Sequence, residues 1–75
     1  MIDVNVIVTM KMRLKRELAE RHMSVRKLAA ISYIGTQTIV RYTNLNDPTG
    51  GKVEIWLALS EALGHEGLEW LIKEE

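Results

Sequence analysis

Residues 24–44 read SVRKLAAISYIGTQTIVRYTN, and the placing of their apolar side chains decides how the rest of the chain is arranged. Ser24 is a good N-cap, because its hydroxyl can accept a hydrogen bond from a free N–H group of the first helical turn. Leu28, Ala29 and Ile31 follow as one apolar stripe at helical spacing. Ile34 is a core-type residue, Gly35 breaks the run, and a second helix is expected over 36–42 with Ile39 and Tyr42 on one side. Thr36, Gln37, Thr38 and Arg41 fall on its other faces. A small residue at Ala29 lets the second helix cross close to the first, and Ile34 and Ile39 fill the angle between them. Two short helices joined by a tight turn result, the second carrying an exposed polar row.

The flanking sequence supplies what such a pair needs to pack against. A first helix is expected over 13–21, with Leu14, Leu18 and Ala19 inward and Lys15, Arg16, Glu17 and Glu20 facing solvent. Residues 44–52, NLNDPTGGK, hold the only proline and two adjacent glycines, which marks a loop. A further helix is expected over 53–63, with Val53, Trp56, Leu57, Leu59 and Leu63 around its circumference and Gly64 as its stop. A last short turn over 66–71 tucks Leu68 and Leu71 against the core. From 2 to 12 the pattern changes. Ile2, Val4, Val6, Val8, Met10 and Met12 are apolar at every even position, and the odd positions are polar apart from Ile7. Period two with many β-branched residues predicts a strand. One strand cannot stand alone, so it must pair with a C-terminal strand within 70–73 or with its own copy across a dimer axis.

The expected architecture is therefore mainly α: four to five short helices, plus a short N-terminal β-strand. The chain divides into a strand or arm at 1–12 and a helical domain at 13–75. Seventy-five residues make one domain with a thin core, burying roughly 60–65% of the unfolded surface. The absence of cysteine excludes disulfides and thiolate metal sites, and favours a cytoplasmic setting. Apolar stretches fall far short of the ~20 residues that span a bilayer, and no basic-then-apolar leader pattern opens the chain.

A net charge of zero hides a strong asymmetry. Residues 10–44 hold eight basic side chains (Lys11, Arg13, Lys15, Arg16, Arg21, Arg26, Lys27 and Arg41) against Glu17 and Glu20, a balance of +6. Residues 45–75 hold Lys52 and Lys73 against seven acids, a balance of −5, and Asp3 supplies the last −1. A dipolar molecule of this kind can turn its basic half to phosphate and hold its acidic half away.

The 24–44 segment resembles the helix-turn-helix of the phage lambda-repressor/Cro-type family. On that pattern the small residue falls at Ala29, the turn residue at Tyr33 and the branched apolar residue at Ile39. Leu28 and Ile34 take the flanking core positions, and Asn44 closes the motif. Two positions depart: the family usually has glycine where Tyr33 stands and often glutamine where Val25 stands. Either Tyr33 is left-handed, at a cost on the order of 1 kcal/mol, or Gly35 absorbs the bend. The resemblance implies a lambda-repressor-like bundle over roughly residues 13–68 and a transcriptional regulator that binds double-stranded DNA as a homodimer.

Under that resemblance Thr36, Gln37, Thr38 and Arg41 are the candidate base readers. Glutamine can pair with adenine and arginine with guanine through two hydrogen bonds each, while threonine offers a hydroxyl and a methyl. Ser24, Arg26, Lys27, Thr43 and Asn44 are the candidate phosphate contacts. Each set has a plainer alternative, a polar helix face and a cap among solvated charges. His22 and His65 stand far apart with no ligand-type neighbours, so no metal site is assigned. Trp56, Trp70 and the methionines suit a core. No nucleophile–base pair and no phosphate-cradling glycine loop is visible, so neither an enzyme, a cofactor nor a small-molecule ligand is expected. Two other classes fit the same scaffold. One is a protein-interaction module of antirepressor or antitoxin type; the other is a dimerisation domain built on the N-terminal strand.

Overall fold

The segment whose alternation predicts a strand is a helix. In the computed structural model, which describes residues 3–73, α1 runs unbroken over Val4–Glu20, and no strand occurs among the described residues. The proposed division between 12 and 13 therefore falls inside α1. Ile2 lies outside the described residues.

The physical reason is visible in what α1 buries. Met10, Lys11, Leu14 and Leu18 are its buried residues, and Ile7 is half-buried one turn before them. Positions 7, 10, 11, 14 and 18 make a helical stripe of period near 3.6. That stripe recruits Ile7 and Lys11, the odd positions that a strand would have turned away from its apolar face. Asp3 starts the helix: its carboxylate accepts from the Asn5 N–H at 2.8 Å, an N-cap bond that a strand would not need. Packing overrides β-branched propensity here.

Four more helices follow: α2 (Val25–Ser32), α3 (Thr36–Thr43), α4 (Val53–Ala62) and α5 (Glu69–Ile72). The core joins Met10, Leu14 and Leu18 of α1 to Leu28, Ile39, Tyr42, Trp56, Leu59, Leu63 and Leu71. Helix α2 packs on both α3 and α4, while α1 packs on α3 and α5. The Tyr42 and Trp56 rings meet edge-to-face with centroids 4.9 Å apart, a favoured aromatic arrangement that fixes α3 against α4. The expected helices over 36–42 and 53–63 and the loop between them stand where the sequence places them. Three inward assignments do not: Ala19, Ile31 and Val53 are exposed. Residues 70–73, considered as a strand partner, belong to α5 and its C-cap, and Leu71 within them is fully buried. No helix of the described residues is long and apolar enough to cross a membrane.

One contact joins the ends of the chain. Glu17, expected to face solvent, is largely covered: it pairs with Arg21 at 3.0 Å and with the His65 imidazole. His65 stacks on Trp70 at 4.1 Å between ring centroids, and Arg21 also donates to the Leu63 carbonyl at 2.8 Å. The Trp70 indole N–H donates to the buried Ser60 hydroxyl at 2.9 Å. His65 is thus a structural residue that fastens the α4–α5 link to α1.

Candidate nucleic-acid interface

Helix α2 starts at Ser24, whose hydroxyl accepts from the Lys27 N–H at 3.1 Å. It ends at Tyr33, which adopts the left-handed conformation (φ 62°, ψ 21°) while its N–H donates to the Ala29 carbonyl at 3.0 Å. Of the two ways to make the bend, then, Tyr33 is the left-handed residue. Gly35 has an extended φ of −61° and serves as the N-cap of α3. The intervening turn is tied by Ser32, a nearly buried residue whose hydroxyl accepts from the Ile34 N–H at 3.2 Å. Ser32 carries no signal in the sequence beyond being a small polar residue two places before a turn.

Tyr33 is 94% exposed, so its ring contributes no packing to offset the backbone strain. Tyr33→Gly is therefore expected to raise stability by about 0.5–1 kcal/mol, the relief of left-handed strain less glycine's greater chain entropy. Thermal denaturation measures it; a lower Tm for the variant would contradict this account of the turn.

Helix α3 buries Ile39 and Tyr42 and turns its other side outward. Thr36, Gln37 and Arg41 are exposed and line one shallow depression of about 360 Å³, together with Val40. Thr38 is half-buried and lies apart from that depression. With Arg41 it borders a separate cleft of about 680 Å³, whose other walls include Val4, Pro48, Lys52 and Ile55. Three of the four candidate base readers are thus brought together, Arg41 belongs to both hollows, and Thr38 looks the other way. Val40, which has no place in a purely polar face, and Lys52, which lies beyond α3, line one hollow each as well.

The five candidate phosphate contacts divide as well. Arg26 and Lys27 are exposed in the first turn of α2. Ser24 spends its hydroxyl as the cap. Thr43 donates its hydroxyl to the Val40 and Ile39 carbonyls of its own helix, at 3.0 and 3.2 Å. The Asn44 side chain accepts from the Asn46 N–H at 3.0 Å, so it shapes the start of the loop.

No protein-family model, curated protein or solved structure matches this chain. Helix α3 is positioned by its packing on α1 and α2 and by the loop that follows it. Lys11 of α1, 1% exposed, reaches under that loop and donates from Nζ to the Asn44 carbonyl at 3.0 Å and the Asp47 carbonyl at 2.6 Å. Burial lowers the Lys11 pKa from its ordinary value, and the nearby Asp47 carboxylate partly offsets this. Asp47 is held below the usual aspartate value, chiefly by hydrogen bonds from the Thr49 side chain and N–H, with Lys11 and Arg41 adding attraction. The Trp56 indole N–H donates to the Gly50 carbonyl at 2.6 Å, and the Lys52 N–H donates to the Tyr42 hydroxyl at 3.3 Å. Three buried side chains, Lys11, Tyr42 and Trp56, thus tie the loop to the rest of the domain. These bonds tie down the C-terminal end of α3, while its outer face stays exposed.

The basic half of the chain is not one continuous patch. Lys11 is buried, Arg21 is committed to Glu17 and Leu63, and Arg13 and Arg16 line a cleft with His65, Trp70 and Lys73. The cations beside the α2–α3 unit are Arg26, Lys27, Arg41 and Lys52.

Proposed function

We propose that this chain is a sequence-specific DNA-binding transcriptional regulator of lambda-repressor-like fold, acting as a repressor in a homodimer. The observation that carries the proposal is the outward row Thr36, Gln37 and Arg41 at the front of a short helix, set by a three-residue turn against the preceding helix. Such a unit enters the major groove with its second helix while the first crosses the backbone. Gln37 and Arg41 read bases, with Thr36 beside them. Thr38, set toward the neighbouring cleft, supports the helix at the edge of that contact. Arg26 and Lys27 lie on phosphates, where they fix register without reading sequence. Ser24, Thr43 and Asn44 act through their backbone and caps. Two copies related by a two-fold axis would address half-sites about 34 Å apart or a multiple of it.

The test is a titration of labelled duplex DNA at two salt concentrations, with variants. Binding whose log affinity falls steeply with log salt is expected, and absence of binding at low salt would sink the proposal. Gln37→Ala and Arg41→Ala should each relax sequence preference by about 1–3 kcal/mol at one position. Lys27→Ala should weaken all sequences alike and reduce the salt slope by about one. Equal weakening of every sequence by all three variants would remove α3 from the reading role.

One observation favours a second reading, a protein-interaction module. Val4 is 73% exposed beside a cleft walled by Ile7, Pro48 and Ile55, an apolar surface that DNA does not need. Low-salt binding to duplex DNA distinguishes the two.

A further inference from the structure

Val40 is 49% exposed in the middle of α3, and no core contact requires a branched apolar residue there. In an exposed helix interior valine is a poorer choice than alanine, because its branched Cβ loses rotamer freedom against the preceding turn. It shares its depression with Thr36, Gln37 and Arg41. Thr36 and Val40 are one turn apart on the same helix face, so the threonine methyl and the valine isopropyl group form a small apolar strip. Gln37 and Arg41, also one turn apart, make the neighbouring polar strip. Hydrogen-bonding groups thus lie directly beside a methyl-sized apolar surface.

We infer that Val40 reads a thymine, its isopropyl group packing on the 5-methyl group, with the Thr36 methyl beside it. This rests on the DNA-binding proposal above and adds a base that none of the polar side chains specifies. Among the four bases only thymine carries a methyl group on the major-groove edge, so an apolar side chain there selects T·A by contact and needs no hydrogen bond. A cytosine at that position would set its N4 amino donor and bare C5 edge against the isopropyl group, leaving the donor without an acceptor.

The experiment uses the full chain and the duplex it selects from a random pool. Each thymine of that duplex is replaced in turn by deoxyuridine, which lacks only the methyl group, and affinity is read by fluorescence anisotropy. One position per half-site is expected to lose about four-fold, the equivalent of one buried methyl group. Val40→Ala should lose most of the preference for thymine over deoxyuridine at that position, keeping only what the Thr36 methyl supplies, with its thermal stability retained because the side chain is exposed. Sensitivity at no position, or sensitivity that persists undiminished in Val40→Ala, overturns the inference while DNA binding stands. If no duplex binds in a salt-dependent manner, the DNA-binding proposal itself fails and the inference goes with it.

Discussion

Replacing Lys11 by alanine is expected to remove about 3 kcal/mol of folding stability, a fall in Tm of roughly 12–24 °C for a domain of this size. Three contributions set that figure. The aliphatic stem fills space between α1 and the loop after α3, and deleting three methylene groups forfeits about 0.8 kcal/mol each. The ammonium group donates to two carbonyls, Asn44 and Asp47, which lose a charged donor. Against this stands the relief of a desolvated charge, so the net is less than the sum. Lys11→Met separates these contributions. It keeps the stem and removes the charge, and should lose about half as much.

The pH dependence gives a second readout of the same residue. A base whose folded-state pKa lies below its unfolded value binds its proton less well when native. The unfolded chain then carries more protons at Lys11 between the lowered pKa and 10.5, and stability rises with pH across that window. Tyr42 works in the opposite sense. Burial raises its pKa, so stability falls once pH exceeds 10.0 and the unfolded phenol ionises first. The difference between wild type and Lys11→Met cancels Tyr42 and should retain the alkaline rise in the wild type alone. A flat difference would mean that Lys11 is solvated in solution and does not clamp the loop.

Lys11 also marks the boundary of what the sequence makes legible. The two short helices, their turn, the following loop and α4 are all written in local patterns: a serine cap, a glycine break, a proline beside paired glycines, and apolar residues at helical spacing. So is the polar row of α3, which needs only the knowledge of which helix face Ile39 and Tyr42 bury. The N-terminus is legible in the wrong period. Six apolar residues at even positions outweigh Ile7, and a lysine is not expected on a buried stripe. Only the two carbonyls that Lys11 meets, more than thirty residues away, make its burial tolerable. The Glu17–His65 contact is unreadable for the same reason, since 48 residues separate its partners and neither spacing carries a motif. Tyr33 lies between these cases: the local pattern narrows the bend to two residues, and the packing of α2 on α3 selects one. Val40 carries no local signal of its own: only the burial of Ile39 and Tyr42 on the opposite side leaves this apolar residue on the outer face.

Gly50→Ala is expected to destabilise the domain by about 2–3 kcal/mol, whereas Gly51→Ala, one residue on, should be near neutral. The two glycines are indistinguishable in sequence and opposite in structure. Gly50 is buried with φ +149°, a conformation L-residues rarely adopt, and a Cβ there would stand 2.8 Å from Ile7 Cγ2 and 3.1 Å from Lys11 Cε. Ile7 is β-branched on a packed helix and has few rotamers with which to yield. Gly51 has no atom within 4 Å of a built Cβ. Ile7→Ala in the Gly50→Ala background should recover the part due to the clash and leave the part due to the backbone, a coupling that a double-mutant cycle reads directly. Because the Gly50 carbonyl accepts the Trp56 indole N–H, the strained loop cannot move without breaking a core hydrogen bond. The displacement would therefore pass to Arg41 and Lys52, which border the same cleft. If the proposed DNA binding holds, Gly50→Ala should weaken it beyond the loss of folded protein, and equal binding per folded molecule would show that the packing of α3 on α1 and α2 positions it without the loop.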